Sequence, residues 1–219
     1  MRKKQQRFND NKVNRNVIEP GKDIFENIKG KWRSDFFQND NEIVLELACG
    51  RGEYSTGLGA IYPNRNFIGI DIKGNRIWVG SKKARLEGLD NVAFLRTQID
   101  HLEKFFEPGE INEIWIVFPD PRPKSSDEHR RLTSPKYLEI YKKLLAPGSL
   151  IHFKTDNTGL FDYTLTLLES RTDIQDLEYT WELYKSACAE VHHGIKTKYE
   201  HQFSELGYEI KYLKFRFNN

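Results

Sequence analysis

The chain has 219 residues and a formal net charge of +2, from 34 lysines and arginines against 32 aspartates and glutamates. That length suits one domain with a full core and disfavours two. Hydrophobic residues make up 38% and charged residues 30%, polar for a globular chain, but the 13% of aromatics excludes a disordered one. No apolar run approaches the roughly 18 residues of a membrane span, and the basic start lacks the apolar stretch of an export signal, so a cytoplasmic protein is expected. Cys49 and Cys188 are the only cysteines, which excludes a disulfide framework and a cysteine-based zinc cluster and fits a reducing compartment.

Near-neutrality hides an uneven distribution. Residues 1–15 carry Arg2, Lys3, Lys4, Arg7, Lys12 and Arg15 against the single acid Asp10, so the remainder is net acidic. This segment reads as a basic, flexible N-terminal arm, either a handle for phosphates or a solvated tail, ahead of a single domain over 16–219.

In chain order, apolar residues at Ile24, Phe25, Ile28, Trp32 and Phe36 predict a helix over Asp23 to Phe37, ended by the polar turn 38–41. Ile43 to Leu47 is a buried strand leaving through the glycine loop Ala48-Cys49-Gly50-Arg51-Gly52. A helix over 53–61 and a strand over 66–71 follow, then a helix over 75–88, a strand over 92–95 and the strand 114–118, stopped by Pro119. Further expectations are a helix over 136–145, a strand over 150–154, a helix over 160–169 and strands near 178–186 and 208–217. Strands alternating with helices predict an open, mostly parallel α/β sheet with helices on both faces. Ligands of such sheets bind beyond the carboxyl ends of the strands, which singles out loops 48–53, 71–75, 96–100, 119–131 and 155–158.

The first loop fails the dinucleotide fingerprint, because Ser55 stands three residues after Gly52. With Glu46 four residues before Gly50, it is similar instead to the Glu/Asp-x-Gly-x-Gly-x-Gly loop of S-adenosylmethionine-dependent methyltransferases, with Ala48 replacing the first glycine. Asp71, at the end of the second strand, either accepts the hydroxyls of an adenosine ribose or caps the next helix. The adenine would lie near residues 96–99.

Phe118-Pro119-Asp120-Pro121-Arg122-Pro123-Lys124 is the most informative segment. Its alternating prolines are expected to hold Asp120 and Arg122 in extended conformations. This segment, Arg130-Arg131-Leu132-Thr133, His152-Phe153-Lys154-Thr155-Asp156 and Thr197-Lys198-Tyr199-Glu200 together resemble the motifs of the bacterial tRNA (guanine-N7-)-methyltransferase family, in order from about Ile43 to Phe217.

The resemblance implies a Rossmann-like class I S-adenosylmethionine-dependent methyltransferase fold with a mostly parallel seven-stranded sheet, and transfer of the donor's methyl to N7 of a guanosine in tRNA, in the variable loop. It implies Asp120 at the catalytic position and donor contacts from Glu46, Gly50, Gly52, Asp71, Gln98 and Asp120. Lys124, Asp156, Thr197, Lys198, Tyr199 and Glu200 are the implied substrate contacts, with Arg130 and Arg131 at tRNA phosphates. Gln98 stands where Asp or Asn is common, Arg122 where Trp is common, and 125–128 is acidic or neutral where the family is basic. No metal or membrane is implied, and a monomer or homodimer is expected.

Guanine N7 carries an exposed lone pair, so no general base is required, and the main task is holding N7 in line with the methyl. Asp120 and Asp156 are candidates both for stabilising charge that develops on the ring and for selecting guanine, with the two roles unassigned. Tyr199 either stacks on a base or packs the helix start, and Thr197 with Glu200 fits a capping box. His192-His193 lacks further metal ligands. Trp32, Trp78, Trp115 and Trp181 are expected in the core. Two other readings are methylation of an exocyclic amine, which Asp-Pro-x-Pro resembles without the usual aromatic residue, and a non-catalytic RNA-binding protein of the same fold.

Overall fold

The computed structural model describes residues 3–218. One sheet contains β1 (Val17–Ile18), β2 (Ile43–Leu47), β3 (Asn66–Ile70), β4 (Val92–Leu95), β5 (Ile111–Val117), β6 (Leu145–Thr155), β7 (Ile174–Thr180) and β8 (Lys211–Phe217). The helices are α1 (Lys3–Val13), α2 (Asp23–Asn27), α3 (Glu53–Ile61), α4 (Gly74–Leu86), α5 (Pro135–Leu144), α6 (Thr158–Glu169) and α7 (Lys198–Glu205). Strand order is β1-β4-β3-β2-β5-β6-β8-β7, parallel except that β8 runs against β6 and β7.

Every residue of β2, β3 and β4 is buried, because helices cover both faces of the sheet. Alternate side chains enter two cores. Ile43, Leu45 and Leu47 pack with α5, α6 and Trp32, whereas Val44 packs with Tyr54 and Leu58 of α3 and Ile77 of α4. Glu46 therefore projects toward α3. The chain builds outward from β2 through β3 and β4, then returns to β5 on the other side, so the crevice of the sheet opens at the carboxyl ends of β2 and β5.

The expected seven strands correspond to β2 to β8, except that the strand expected near 178–186 lies earlier, at Ile174–Thr180, with a 3-10 turn at Leu183–Lys185; the two-residue β1 adds an eighth at the edge beside β4. The single helix expected over Asp23 to Phe37 is broken. Gly30 takes φ +69, and the chain resumes as a π-helical turn at Trp32–Phe37. There the Trp32 indole donates to Phe105 O at 2.8 Å and stacks on Phe106 at 5.4 Å, so core packing overrides helical continuity.

Arg2 of the expected arm lies outside the described residues. From Lys3 onward the expected flexible arm is α1, docked on α4. Trp78 Nε1 donates to Asp10 Oδ2 at 2.8 Å, and Asn11 Nδ2 to Gly74 O at 2.8 Å, with Asn11 fully buried. Trp32 and Trp115 are in the core as expected, but Trp181 is 37% exposed against Phe161, and Trp78 joins α1 to α4.

Candidate active site

The loop after β2 turns three times through the left-handed region, at Ala48 (φ +53), Gly50 (φ +56) and Gly52 (φ +67). Glycine suits the last two. Ala48 tolerates the same backbone with a methyl attached. Asp71 fixes the loop, its Oδ2 accepting from Gly50 N at 2.9 Å and its Oδ1 from Lys73 N at 2.7 Å. A Cβ on Gly52 would stand 2.3 Å from the Phe94 ring, on Gly69 2.8 Å and on Gly80 2.6 Å, so the ring sits in a socket of three bare backbones.

Glu46 is buried, and one carboxylate oxygen accepts from Ser55 N at 2.8 Å and Ser55 Oγ at 2.6 Å, at the first turn of α3. Burial pushes its pKa up to about 8, against the opposing pull of the Ser55 bonds. Ser55 was visible only as the residue that spoils a dinucleotide loop; its role as the partner of Glu46 follows from the helix turn that brings it back over β2.

Two cavities meet at Ala48. One, of about 610 Å³, is lined by Glu46, Gly50, Val117, Phe118, Thr197 and Tyr199 among others. The other, of about 400 Å³, is lined by Ala48, Asp71, Gln98, Ile99, Asp120 and Tyr137 among others. The structure thus brings Glu46, Gly50, Thr197, Lys198 and Tyr199 to one side of Ala48 and Asp71, Gln98 and Asp120 to the other. Gly52 is buried under Phe94 and lines neither.

The segment after β5 is not uniformly extended as expected: Phe118 and Arg122, each preceding a proline, take φ +47 and +46. Left-handed turns at both positions keep the prolines' own φ while folding the loop over the crevice. Asp120 is exposed and pairs with Arg122 Nε at 3.2 Å. Arg131 Nε donates to Arg122 O at 3.3 Å, and its guanidinium lies 4.2 Å from the Tyr163 ring centroid. Arg131 also pairs with Glu128 at 3.5 Å, and Arg130 pairs with Asp127 at 3.2 Å. Both expected phosphate contacts are thus already engaged by acids of their own loop.

Tyr199, 46% exposed, stacks on Phe203 at 4.2 Å and faces Phe118 at 5.5 Å. It packs the start of α7 while presenting its ring to the larger cavity. Thr197 and Glu200 form the capping box. Glu200 itself is fully buried, paired with Lys154 at 2.6 Å and hydrogen-bonded by Tyr184, so its carboxylate does not reach the cavity. Lys154, fully buried and bonded also to Tyr54 at 2.9 Å, is the residue that sequence reading passed over inside its motif. Asp156 follows β6, half-buried, and burial raises its carboxyl. Lys124 is exposed beyond both cavities. His192 packs edge-on against Tyr184 and His193 against Tyr62.

A crevice with this loop and these acids suits a cationic adenosine-bearing donor. A family of putative methyltransferases matches residues 40–213. The chain is 47% identical over 217 residues to the tRNA (guanine-N(7)-)-methyltransferase of Cytophaga hutchinsonii, spanning 99% of this chain and 98% of that protein. It is 50% identical over 189 residues to the protein of the same name from Porphyromonas gingivalis, spanning 86% and 76%. Among solved structures, the 16S rRNA methyltransferase KamB is similar with a TM-score of 0.61 at 14% identity, over 87% of this chain and 92% of that one. That likeness, with the strand order, marks the class I S-adenosylmethionine-dependent methyltransferase fold. Identity near one half over almost the whole length, together with the family match, shows that the chain belongs to the tRNA (guanine-N7-)-methyltransferase family.

Proposed function

We propose that the protein transfers the methyl group of S-adenosylmethionine to N7 of a guanosine in tRNA, at a position in the variable loop. The observation that carries this reading is the meeting of the two cavities at Ala48, with Asp71 and Glu46 on opposite sides and Asp120 at the exposed edge. The names of the relatives support the substrate.

Residues Asp71, Gln98 and Ile99 would hold the adenosine, and Glu46 with the Gly50 backbone the methionine portion. Gly52 serves that contact indirectly, by letting the loop close over Phe94. S-adenosylmethionine, when bound, supplies a methyl group activated by a positively charged sulfur. Asp120 lies where a guanine would enter, and its carboxylate stabilises positive charge arriving on the ring. Its ion pair with Arg122 holds it at the edge until the base arrives. Asp156, directly after β6, is the acceptor assigned to the base edge, and Tyr199 offers a ring face for stacking. No proton has to leave N7, so the residues position and screen rather than act as a base.

The test uses unmodified tRNA and labelled S-adenosylmethionine, followed by reduction and aniline cleavage, which cuts at N7-methylguanosine. Label uptake with cleavage in the variable loop is expected. Uptake without cleavage would assign the exocyclic-amine reaction, and tRNA binding without uptake a non-catalytic role. Asp120→Ala should lower turnover far more than tRNA affinity; a loss of affinity alone removes Asp120 from the reacting centre.

A further inference from the structure

The cations of the loop over the crevice are already committed. Arg122 is paired with Asp120, Arg130 with Asp127, Arg131 with Glu128 and Lys136 with Asp100. Of the lysines and arginines between 122 and 136, only Lys124 has no acidic partner among the described residues. The opposite wall differs. Arg51 in the donor loop, Arg76 on α4 and Lys198 on α7 are exposed, line the larger cavity, and have no carboxylate partner among the described residues. Arg7 of α1 joins them, its guanidinium 4.7 Å from the Trp78 ring centroid and 3.4 Å from Asn75 O. Of the acids on this cavity, Glu46 is buried on Ser55 and Glu53 accepts from Lys198 N at 3.4 Å.

We propose that the phosphate backbone beside the target nucleoside lies along this rim of Arg7, Arg51, Arg76 and Lys198. The inference rests on the RNA reading above and names the surface that grips the RNA. Unpaired cations on separate elements give a strand several phosphates' worth of contact, and neutralised phosphates release counterions on binding. The rim runs from α1 past the donor loop to Tyr199, so a strand laid along it delivers a base to the ring of Tyr199 and the reacting loop. Docking of α1 is what adds Arg7 to the rim.

Rim cations also suit the one carboxylate of the donor, and the test separates the two anions. The full-length Arg76→Gln/Lys198→Gln variant is compared with wild type for tRNA affinity across a salt series and for S-adenosylhomocysteine affinity by calorimetry. Both side chains are exposed, so folding is retained, checked by circular dichroism. The expected result is a log–log salt slope shallower by about 1.5 to 2 and tRNA binding weaker by roughly 10- to 100-fold at low salt, with S-adenosylhomocysteine affinity unchanged. Lys29→Gln/Lys143→Gln, which removes the same charge from residues lining neither cavity, keeps the wild-type slope. An unchanged slope in the rim variant overturns the proposal, as does lost S-adenosylhomocysteine affinity with tRNA affinity intact, which would hand the rim to the donor's carboxylate. A wild-type chain that transfers no methyl to tRNA defeats the functional reading itself; a methylating wild type with an unaltered variant slope defeats only the rim.

Discussion

Lys154 and Glu200 form an ion pair at 2.6 Å in which neither side chain reaches solvent. It ties β6 to the first turn of α7, and α7 carries Thr197, Lys198 and Tyr199 to the larger cavity. Burial lowers the Lys154 amine and raises the Glu200 carboxyl, each opposed by the partner's charge.

Removing one partner leaves the other charged and buried. Lys154→Met should therefore lower stability in urea titration by about 3–5 kcal/mol, with a matching fall in methyl transfer as the Tyr199 wall shifts. The double variant Lys154→Met/Glu200→Leu should recover most of the stability. If the single and double variants are equally unstable, the pair is not what holds α7 in place.

The donor loop gives two substitutions of opposite sign. Gly52→Ala places a methyl on a left-handed residue, against the Phe94 ring, and should destabilise by about 2–4 kcal/mol and abolish S-adenosylhomocysteine binding. Ala48→Gly relieves the same backbone strain at a half-buried position and should stabilise by about 0.5–1 kcal/mol, less than the full strain because glycine gains unfolded entropy. Thermal denaturation of both variants checks the pair. A stable, donor-binding Gly52→Ala would mean that the loop is not seated on Phe94.

With its pKa pushed up to about 8, Glu46 is mostly protonated at neutral pH. A cationic donor beside it favours the carboxylate, so binding below pH 8 releases a proton. Donor affinity should rise from pH 6 to about 8 and level off above, and calorimetry at pH 7 in buffers of different ionisation heat should show close to one proton released. Glu46→Gln should abolish both effects. Binding heats independent of buffer in the wild type would place Glu46 outside the donor's reach.

His152 stacks on Trp115 at 4.0 Å, with Nδ1 2.7 Å from the Tyr212 hydroxyl and Nε2 3.5 Å from Glu113. Burial lowers its pKa to about 4. Between about pH 6.5 and 4 the unfolded imidazole takes up a proton that the folded one refuses. The stability it contributes is therefore intact above 6.5 and is lost as the pH falls through that window, by an amount on the order of 3 kcal/mol. His152→Phe should be weaker at pH 7, because Tyr212 loses its partner, yet decline less on acidification. Parallel pH profiles for the two proteins in urea would show that His152 is not the group responsible.

Strands and helices with strong local patterns were legible: the short, mostly apolar runs of β2 to β5, alternating with helical segments, read as buried strands between helical layers. What escaped the sequence depends on partners far along the chain. The segment that becomes α1 has only Phe8 and Val13 as apolar residues, and its helix is secured by Trp78 and Gly74, which lie some sixty residues away. The break at Gly30 follows from a core slot for Trp32 that is formed by Phe105 and Phe106. The acids of the site were legible by their place at strand ends, but the burial of Glu200 was not, because its partners Lys154 and Tyr184 come from β6 and from the 3-10 turn at Leu183–Lys185. Pairing of the loop's arginines with Asp127 and Glu128 was equally hidden, since sequence distance alone does not distinguish a free cation from an engaged one.

The socket around Phe94 draws Gly52, Gly69 and Gly80 from a loop, a strand and a helix into contact with one ring. None of the three can gain a side chain while the phenyl group remains, and Gly80 is closed by the Arg51 carbonyl oxygen as well. Descendants of this sequence should therefore keep Gly80 and exchange Phe94 only for residues that fill the same socket.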